Sequence, residues 1–245
     1  MATPRHPEQV WPAQHGPLAD AIVALAETPG HVSGIEARLK MIAALAVDRV
    51  AAADYASVTT LEGDEYTIVA ASSDIAAAVD EAQIADRAGP CLQALETGEP
   101  VGVPDTGTTM DWPGFHVVAP ALGLRATVSV PLHDGRGTTI AALNLYGRDS
   151  ATMEPLITAV AHLYSTSREL SLSIDPPPVS DPGAAELLTG YAQALAIRTI
   201  VRRAVQALTE HGVSNRDAAY TMLYERAAEH HTTLSAEADA VLRQL

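Results

Sequence analysis

The sequence predicts an α+β fold in two parts: an antiparallel-sheet domain over residues 19–175 and an all-α three-helix bundle over residues 184–245. Three observations predict it. β-branched runs come in pairs about short Gly-containing loops, and no βαβ alternation is present. Helical periodicity precedes, separates and follows those pairs. The segment Asp175-Pro176-Pro177-Pro178-Val179-Ser180-Asp181-Pro182-Gly183 holds four prolines in nine residues, and every pattern beyond it is helical. Such a segment cannot continue a helix, so residues 176–183 read as a linker.

Residues 1–18 mix Pro, His and Gln without periodicity and read as a loose tail. A short helix over Leu18–Glu27 stops at Pro29-Gly30. Ser33 with Glu36 three residues on forms a capping box for a second helix carrying Ile35, Leu39, Ile42, Leu45 and Val50. Tyr55–Leu61 and Tyr66–Ala71 form a hairpin around a four-residue loop, Glu62–Glu65. Ile75–Ala85 is helical. Pro90 heads the next helix, where its fixed φ is suited, and Gly98 ends it. Pro100–Val103 is a short strand. A turn-rich stretch from Pro104 to Gly114 leads to a helical piece ending at Leu122. Ala126–Leu132 and Thr138–Tyr146 form a second hairpin around His133–Gly137, and Met153–Ile174 is a long amphipathic helix. Beyond the linker, Leu187, Ala194, Ile197, Val201, Ala204 and Leu208 lie on a heptad-like seam. Gly212 ends that helix, Ser214 with Asp217 opens the next, and a third runs from Thr233 to Leu242.

Hydrophobic residues make up 47% of the chain and charged residues 18%, enough apolar material for a core. The net charge of −15 argues against broad non-specific nucleic-acid binding, which needs clustered Lys and Arg. That charge is uneven. Residues 1–185 carry 9 Lys+Arg against 23 Asp+Glu, a net of −14, and residues 186–245 carry 6 against 7, a net of −1. An asymmetry of this kind marks two modules with different partners. The single cysteine, Cys91, excludes an intramolecular disulfide and a Cys-rich zinc site and suits a reducing cytoplasm. No signal peptide and no uncharged apolar run of membrane-spanning length is present, so a cytoplasmic protein without membrane contact is expected.

No phosphate-binding loop, dinucleotide fingerprint, zinc-protease helix or nucleophile elbow occurs. The many acidic residues are scattered and read as solvated surface charges. No catalytic residue, metal ligand or cofactor is expected. Cys91 lies at a helix N-terminus, where the dipole lowers a thiol pKa; the competing reading is a small buried apolar residue. A Cys-His nucleophile needs a positioned histidine, and His116 and His133 are candidates only in principle. Asn144, in an otherwise apolar strand, faces a pocket or a buried hydrogen bond.

The stretch Gly89–Arg148 reads GPCLQALETGEPVGVPD, then DWPGF, GLRATVSVPL and ALNLYGR. In that order these segments resemble the GAF domains of bacterial GAF–ANTAR regulators, with G-P-C-x-x-A-L-x-x-G-x-P-V at Gly89–Val101, W-P-x-F at Trp112–Phe115, S-V-P-L at Ser129–Leu132 and A-L-N-L-Y at Ala142–Tyr146. The resemblance covers roughly residues 20–175. It implies a sensor fold with a central antiparallel sheet, a small-ligand pocket on one face, and dimerisation through helices. It points to Cys91, Trp112, Phe115, His116 and Asn144 as pocket residues for an unidentified small-molecule effector. For Trp112 and Phe115 the alternative is packing as a lid over the sheet.

The C-terminal part resembles an ANTAR domain, a three-helix RNA-binding module of transcription antiterminators. His211-Gly212-Val213-Ser214 matches that family's first turn, Ala219, Tyr220 and Leu223 match its A-F-x-x-L, and Leu234 and Ala238 match positions in its third helix. Several polar family positions are replaced: Arg203–Leu208 stands for A-K-G-I-L-M, Tyr224 for an Arg, and Ala227 and His231 for a Ser and an Asn. The resemblance implies a homodimer that binds an RNA hairpin and allows transcription through a terminator. Arg202, Arg203, Arg216, Tyr224, Arg226, His230 and His231 are the candidate RNA contacts. A second reading gives the bundle a dimerising or protein-docking role without RNA, through the seam Leu187–Leu208. A third, an enzyme acting through Cys91 such as a sulfoxide reductase, is disfavoured because a lone cysteine requires intermolecular exchange for recycling.

Overall fold

The computed structural model describes residues 15–29, 34–108, 111–170 and 175–245, without the side chains of 168–170. In chain order the elements are α1 (Pro17–Ala26), α2 (Ile35–Arg49), β1 (Tyr55–Glu62), β2 (Glu65–Ala71), α3 (Asp74–Asp86), α4 (Pro90–Thr97), β3 (Val101–Val103), α5 (Pro113–Ala121), β4 (Ala126–His133), β5 (Thr139–Gly147), α6 (Ser150–Leu170), α7 (Pro182–Glu210), α8 (Arg216–Glu229) and α9 (Leu234–Gln244). The five strands form one sheet in the order β2-β1-β5-β4-β3, every pair antiparallel. The α+β class and the C-terminal helical region expected from the sequence are therefore present.

Alternation along the strands gives the sheet two unlike faces. Ala56 and Val58 of β1, Val128 and Val130 of β4, and Leu143 and Leu145 of β5 face α1, α2 and α6 in the largest hydrophobic cluster. Ser57, Thr59, Thr127, Ser129, Asn144 and Tyr146 occupy the intervening positions, all buried, on the face covered by α3, α4 and α5. One face is oil and the other is largely polar.

The large cluster does not stop at the linker. It takes in Leu187, Leu188, Tyr191, Leu195 and Val201 of α7, Leu223 of α8, and Leu234 and Val241 of α9. Helix α7 lies along α1 and also meets α2, α6, α8 and α9. Each such buried side chain contributes roughly 1.5–3 kcal/mol over its exposed state. All six seam residues, Leu187, Ala194, Ile197, Val201, Ala204 and Leu208, are buried inside this chain. The seam is occupied internally, so it presents no ready face to a second copy.

Local expectations are corrected at four places. The first hairpin closes through a two-residue turn, Gly63-Asp64, because Glu62 and Glu65 are themselves paired in the ladder. Helix α7 starts at Pro182, inside the expected linker. Asp181 caps it, Oδ1 accepting from the Gly183 amide at 2.9 Å, and Pro182 occupies the first turn, where no amide hydrogen is needed. Asn215, not Ser214, caps α8 by accepting from the Ala218 amide at 2.9 Å. Ser33 lies outside the described residues; Gly34 is the N-cap of α2 without a side-chain bond, and Glu36 pairs with Lys40 at 2.5 Å instead of capping. The far end of the long helix at Ile174 and residues 1–14 of the expected tail also lie outside the described residues.

Among the described residues no helix is long and apolar enough to cross a membrane, and no group of three or more His, Cys, Asp or Glu side chains is placed to hold a metal ion.

Candidate functional site

The polar face of the sheet converges on Asp80. Helix α3, capped by Ser73 through the Ala76 amide, carries Asp80 and Gln83 three residues apart, so both point down onto β1 and β5. Tyr146 donates its hydroxyl to Asp80 Oδ1. Gln83 Nε2 lies 3.2 Å from the same oxygen, and the Thr59 hydroxyl donates to Oδ2 at 3.4 Å. Asn144 Nδ2 stands 3.1 Å from Ser57 Oγ, 3.4 Å from Asp80 Oδ1 and 3.1 Å from Cys91 Sγ. Asn144 thus makes the buried hydrogen bond that was one of its two readings.

Helix α4 arrives from the side. Gln83 Oε1 accepts from the Cys91 amide at 2.9 Å and satisfies the first turn of that helix. Gly89 is required there, since a Cβ on it would stand 2.2 Å from Gln83 Oε1. The Gly-Pro-Cys segment therefore has a physical reading at each position: close approach, a preset first turn and a small buried side chain.

Burial sets the electrostatics. Asp80 is pushed up to about 6 by loss of solvent, with the hydroxyls of Ser57, Tyr146 and Thr59 and the Asn144 amide working against the shift. Burial, and then the neighbouring Asp80 charge, raise the Cys91 thiol far from its reactive range. The same two causes raise Tyr146. The dipole of α4 does not activate Cys91; desolvation outweighs it.

Two polar atoms on this face have no hydrogen-bond partner among the described residues: Ser129 Oγ and Asn144 Oδ1. They are both buried, and their residues are direct partners across β4 and β5. Unpaired buried acceptors cost on the order of 1–3 kcal/mol, which favours a bound water or small polar molecule at this point.

Of the five expected pocket residues, Cys91 and Asn144 meet directly. Trp112 and Phe115 meet edge to face, with ring centroids 6.2 Å apart at 89°. Phe115 is fully buried beside Val79, Val103 and Tyr146, and half-buried Trp112 packs against both apolar clusters of this face. His116 stands apart, its Nδ1 3.3 Å from the Thr106 carbonyl. Asp80, Gln83, Tyr146, Ser57 and Ser129 were not legible as site residues, although the alternation of Ala142–Tyr146 puts Asn144 and Tyr146 on one face.

The C-terminal candidates fall into three sets. Arg226 Nε and His230 Nδ1 each lie 2.8 Å from an oxygen of Glu237, which is 2% exposed, so both side chains join α8 to α9. His231 follows the end of α8 in left-handed backbone at φ 53°, and Tyr224 is exposed. Arg202, Arg203 and Arg216 are exposed around a cleft of about 460 Å³, facing Arg136 from the β4–β5 turn. The Arg136 guanidinium lies over the Tyr220 ring at 4.8 Å from its centroid, which places buried Tyr220 under a cation rather than open for base stacking.

Residues 33–166 match the family model of the GAF domain. Among solved structures, the chain is similar to the nlh2 GAF domain of A. aeolicus in an inactive state, at 11% identity over 63% of this chain and 94% of that one, with a TM-score of 0.40. It is similar to a GAF domain/HD domain protein from Geobacter sulfurreducens, at 13% identity over 76% and 97%, with a TM-score of 0.36. It is also similar to a type II free methionine-R-sulfoxide reductase from Thermoplasma acidophilum, at 13% identity over 59% and 93%, with a TM-score of 0.38. No curated protein matches the chain significantly.

Proposed function

The chain belongs to the GAF domain family, and on that premise we propose that it is a signal-responsive regulator whose GAF domain senses a small effector at the polar face of its sheet and whose C-terminal helices bind RNA to permit transcription through a terminator. The observation that carries this reading is the shared core. Helix α7 packs directly on α1, α2 and α6, so a shift of the sheet or of its covering helices is felt by the output helix without a coiled coil. The hairpin tip is locked into the same unit: the Gly135 amide donates to the Thr28 carbonyl at 2.8 Å, and Glu27 accepts from the Ser235 amide at 3.1 Å.

RNA contact is supported by Arg202, Arg203 and Arg216, three exposed cations with no carboxylate partner among the described residues. In a chain of net charge −15 such a grouping is where phosphate is attracted. The test is binding of the full chain to a pool of short RNA hairpins at low and high salt. Saturable binding that weakens with salt and drops on changing Arg202 and Arg203 to Gln is the expected result. Affinity equal to that for unstructured RNA at low salt refutes it.

A second reading, protein docking without RNA, is favoured by one observation: Arg226 and His230 are both engaged with Glu237 and are withheld from phosphate. The same titration separates the two, since docking alone predicts no hairpin preference.

A further inference from the structure

We propose that the cleft between the β4–β5 turn and helices α7 and α8 is a binding site for a small phosphorylated molecule, which staples the GAF sheet to the output helices. It shares arginines with the RNA reading but does not rest on it. The cleft is open on one side and, at about 460 Å³, has room for a small molecule.

One wall comes from the hairpin turn, with Arg136 and Thr138, and the other from α7 and α8, with Arg202, Arg203 and Arg216. Four of the chain's 15 Lys and Arg residues thus surround one cleft in a strongly acidic protein. Among the described lining residues the one carboxylate is Asp217, 3.3 Å from Arg136, which leaves Arg202, Arg203 and Arg216 without a carboxylate partner there.

A fifth cation lies behind the wall. Arg198 is partly buried, its Nε donating to the Gly137 carbonyl at 3.1 Å, and Gly137 leaves room for it because a Cβ there would stand 2.8 Å from Arg198 Cγ. Burial, and then repulsion from Arg202, lower the Arg198 pKa. An anion in the cleft adds negative charge to a region where positive charges repel one another, and the planar guanidinium fork suits the oxygens of phosphate.

The turn that presents Arg136 is rigid. Asp134 Oδ1 accepts from the amides of Arg136 at 3.0 Å and Thr138 at 2.9 Å, and Tyr220 lies under the Arg136 guanidinium. An anion held by Arg136 on one side and Arg202 or Arg203 on the other therefore bridges two elements that are already fixed. That preorganisation is what small-ligand binding requires.

The test is calorimetric titration of the full chain with inorganic pyrophosphate, alongside a short RNA hairpin. One pyrophosphate per chain is expected, with affinity reduced roughly tenfold or more by either Arg136→Gln or Arg203→Gln, the loss of a charge-assisted hydrogen bond. Arg203 is exposed, so its variant keeps the test open if Arg136→Gln disturbs folding. Absence of saturable binding at millimolar pyrophosphate overturns the proposal, as does binding indifferent to Arg136→Gln in a folded protein. Hairpin binding without pyrophosphate binding overturns it and leaves the RNA reading standing; the reverse result upholds it and removes that reading.

Discussion

Glu186 of α7 reaches across to Arg49 at the end of α2, its Oε1 2.6 Å from Nη2 and both its oxygens 2.9 Å from Nε. The same carboxylate accepts from the Leu18 amide at 3.3 Å, at the first turn of α1. Helix α1 has no side-chain cap of its own, and Gly16 before it sits at φ 91° with space that a Cβ would take from the Glu186 carboxyl. One side chain from the C-terminal helices thus closes the N-terminus of the first helix and binds the C-terminal end of the second.

Glu186→Gln keeps the shape and removes the charge that holds Arg49 and suits the positive end of α1. The expected outcome is a lower thermal midpoint and faster hydrogen exchange at the first-turn amides of α1. Exchange at Leu18 unchanged from the parent protein would refute the capping role.

Gly190 decides how closely α7 lies on α1. A Cβ there would stand 2.7 Å from Ala19 Cα and 3.0 Å from its carbonyl oxygen, both backbone atoms that cannot turn aside. In a free helix, Gly→Ala is stabilising by up to about 1 kcal/mol. Here the clash reverses the sign, and Gly190→Ala is expected to destabilise by about 1–3 kcal/mol, as overpacking does. Urea unfolding measures it, and a variant as stable as the parent would show that the two helices part without cost.

These two residues mark the limit of sequence reading. Local signals were legible: Gly98 ends α4 at φ 67°, and the alternation in Ala142–Tyr146 sets β5 in register. The seam on α7 was legible as an apolar stripe, but not what covers it, because α1 lies some 170 positions away in sequence. The two-residue turn was missed because it depends on a ladder pair, Glu62 with Glu65. Asp80 resembled any of 30 acidic residues until tertiary structure put it under Tyr146.

Asp80 makes stability depend on pH in a direction opposite to that of most carboxylates. Its folded pKa of about 6 lies above the ordinary 3.8. Between those values the folded chain holds a proton that the unfolded chain has released, so this group's contribution falls as pH rises from about 4 to about 6 and is level above. Two units correspond to roughly 3 kcal/mol. Asp80→Asn retains an oxygen for Tyr146 and abolishes the titration. Its stability relative to the parent should increase across that window; a difference that is the same at pH 4.5 and pH 7.5 would sink the assignment.

His133 acts in the other direction over an overlapping range. It is buried, with Nδ1 3.2 Å from the Thr139 hydroxyl, and burial, then Arg198 and Arg202, hold its pKa down to about 3 against an ordinary 6.5. Below pH 6.5 the unfolded chain takes up a proton that the folded chain refuses, so stability is lost as pH falls from 6.5 toward 3. His133→Gln is expected to flatten this acid-side loss. Urea unfolding at pH 5 and pH 7 checks it, and an undiminished pH slope in the variant would refute it.

Cys91 offers two opposed influences on one thiol. A helix N-terminus stabilises the thiolate by about 0.3–1 kcal/mol at an exposed position. Complete burial and the adjacent Asp80 carboxyl disfavour the same thiolate, and burial is the larger effect. The Asn144 amide at 3.1 Å from Sγ is shared with Ser57 and Asp80, so it recovers only part of the lost solvation. The native protein is therefore expected to resist a disulfide reagent at pH 8, whereas one thiol per chain reacts in denaturant. Labelling should follow the rate of unfolding rather than the rate of a free thiolate. Prompt stoichiometric labelling of the folded chain would instead mean that α4 opens, and would restore Cys91 as a reactive group.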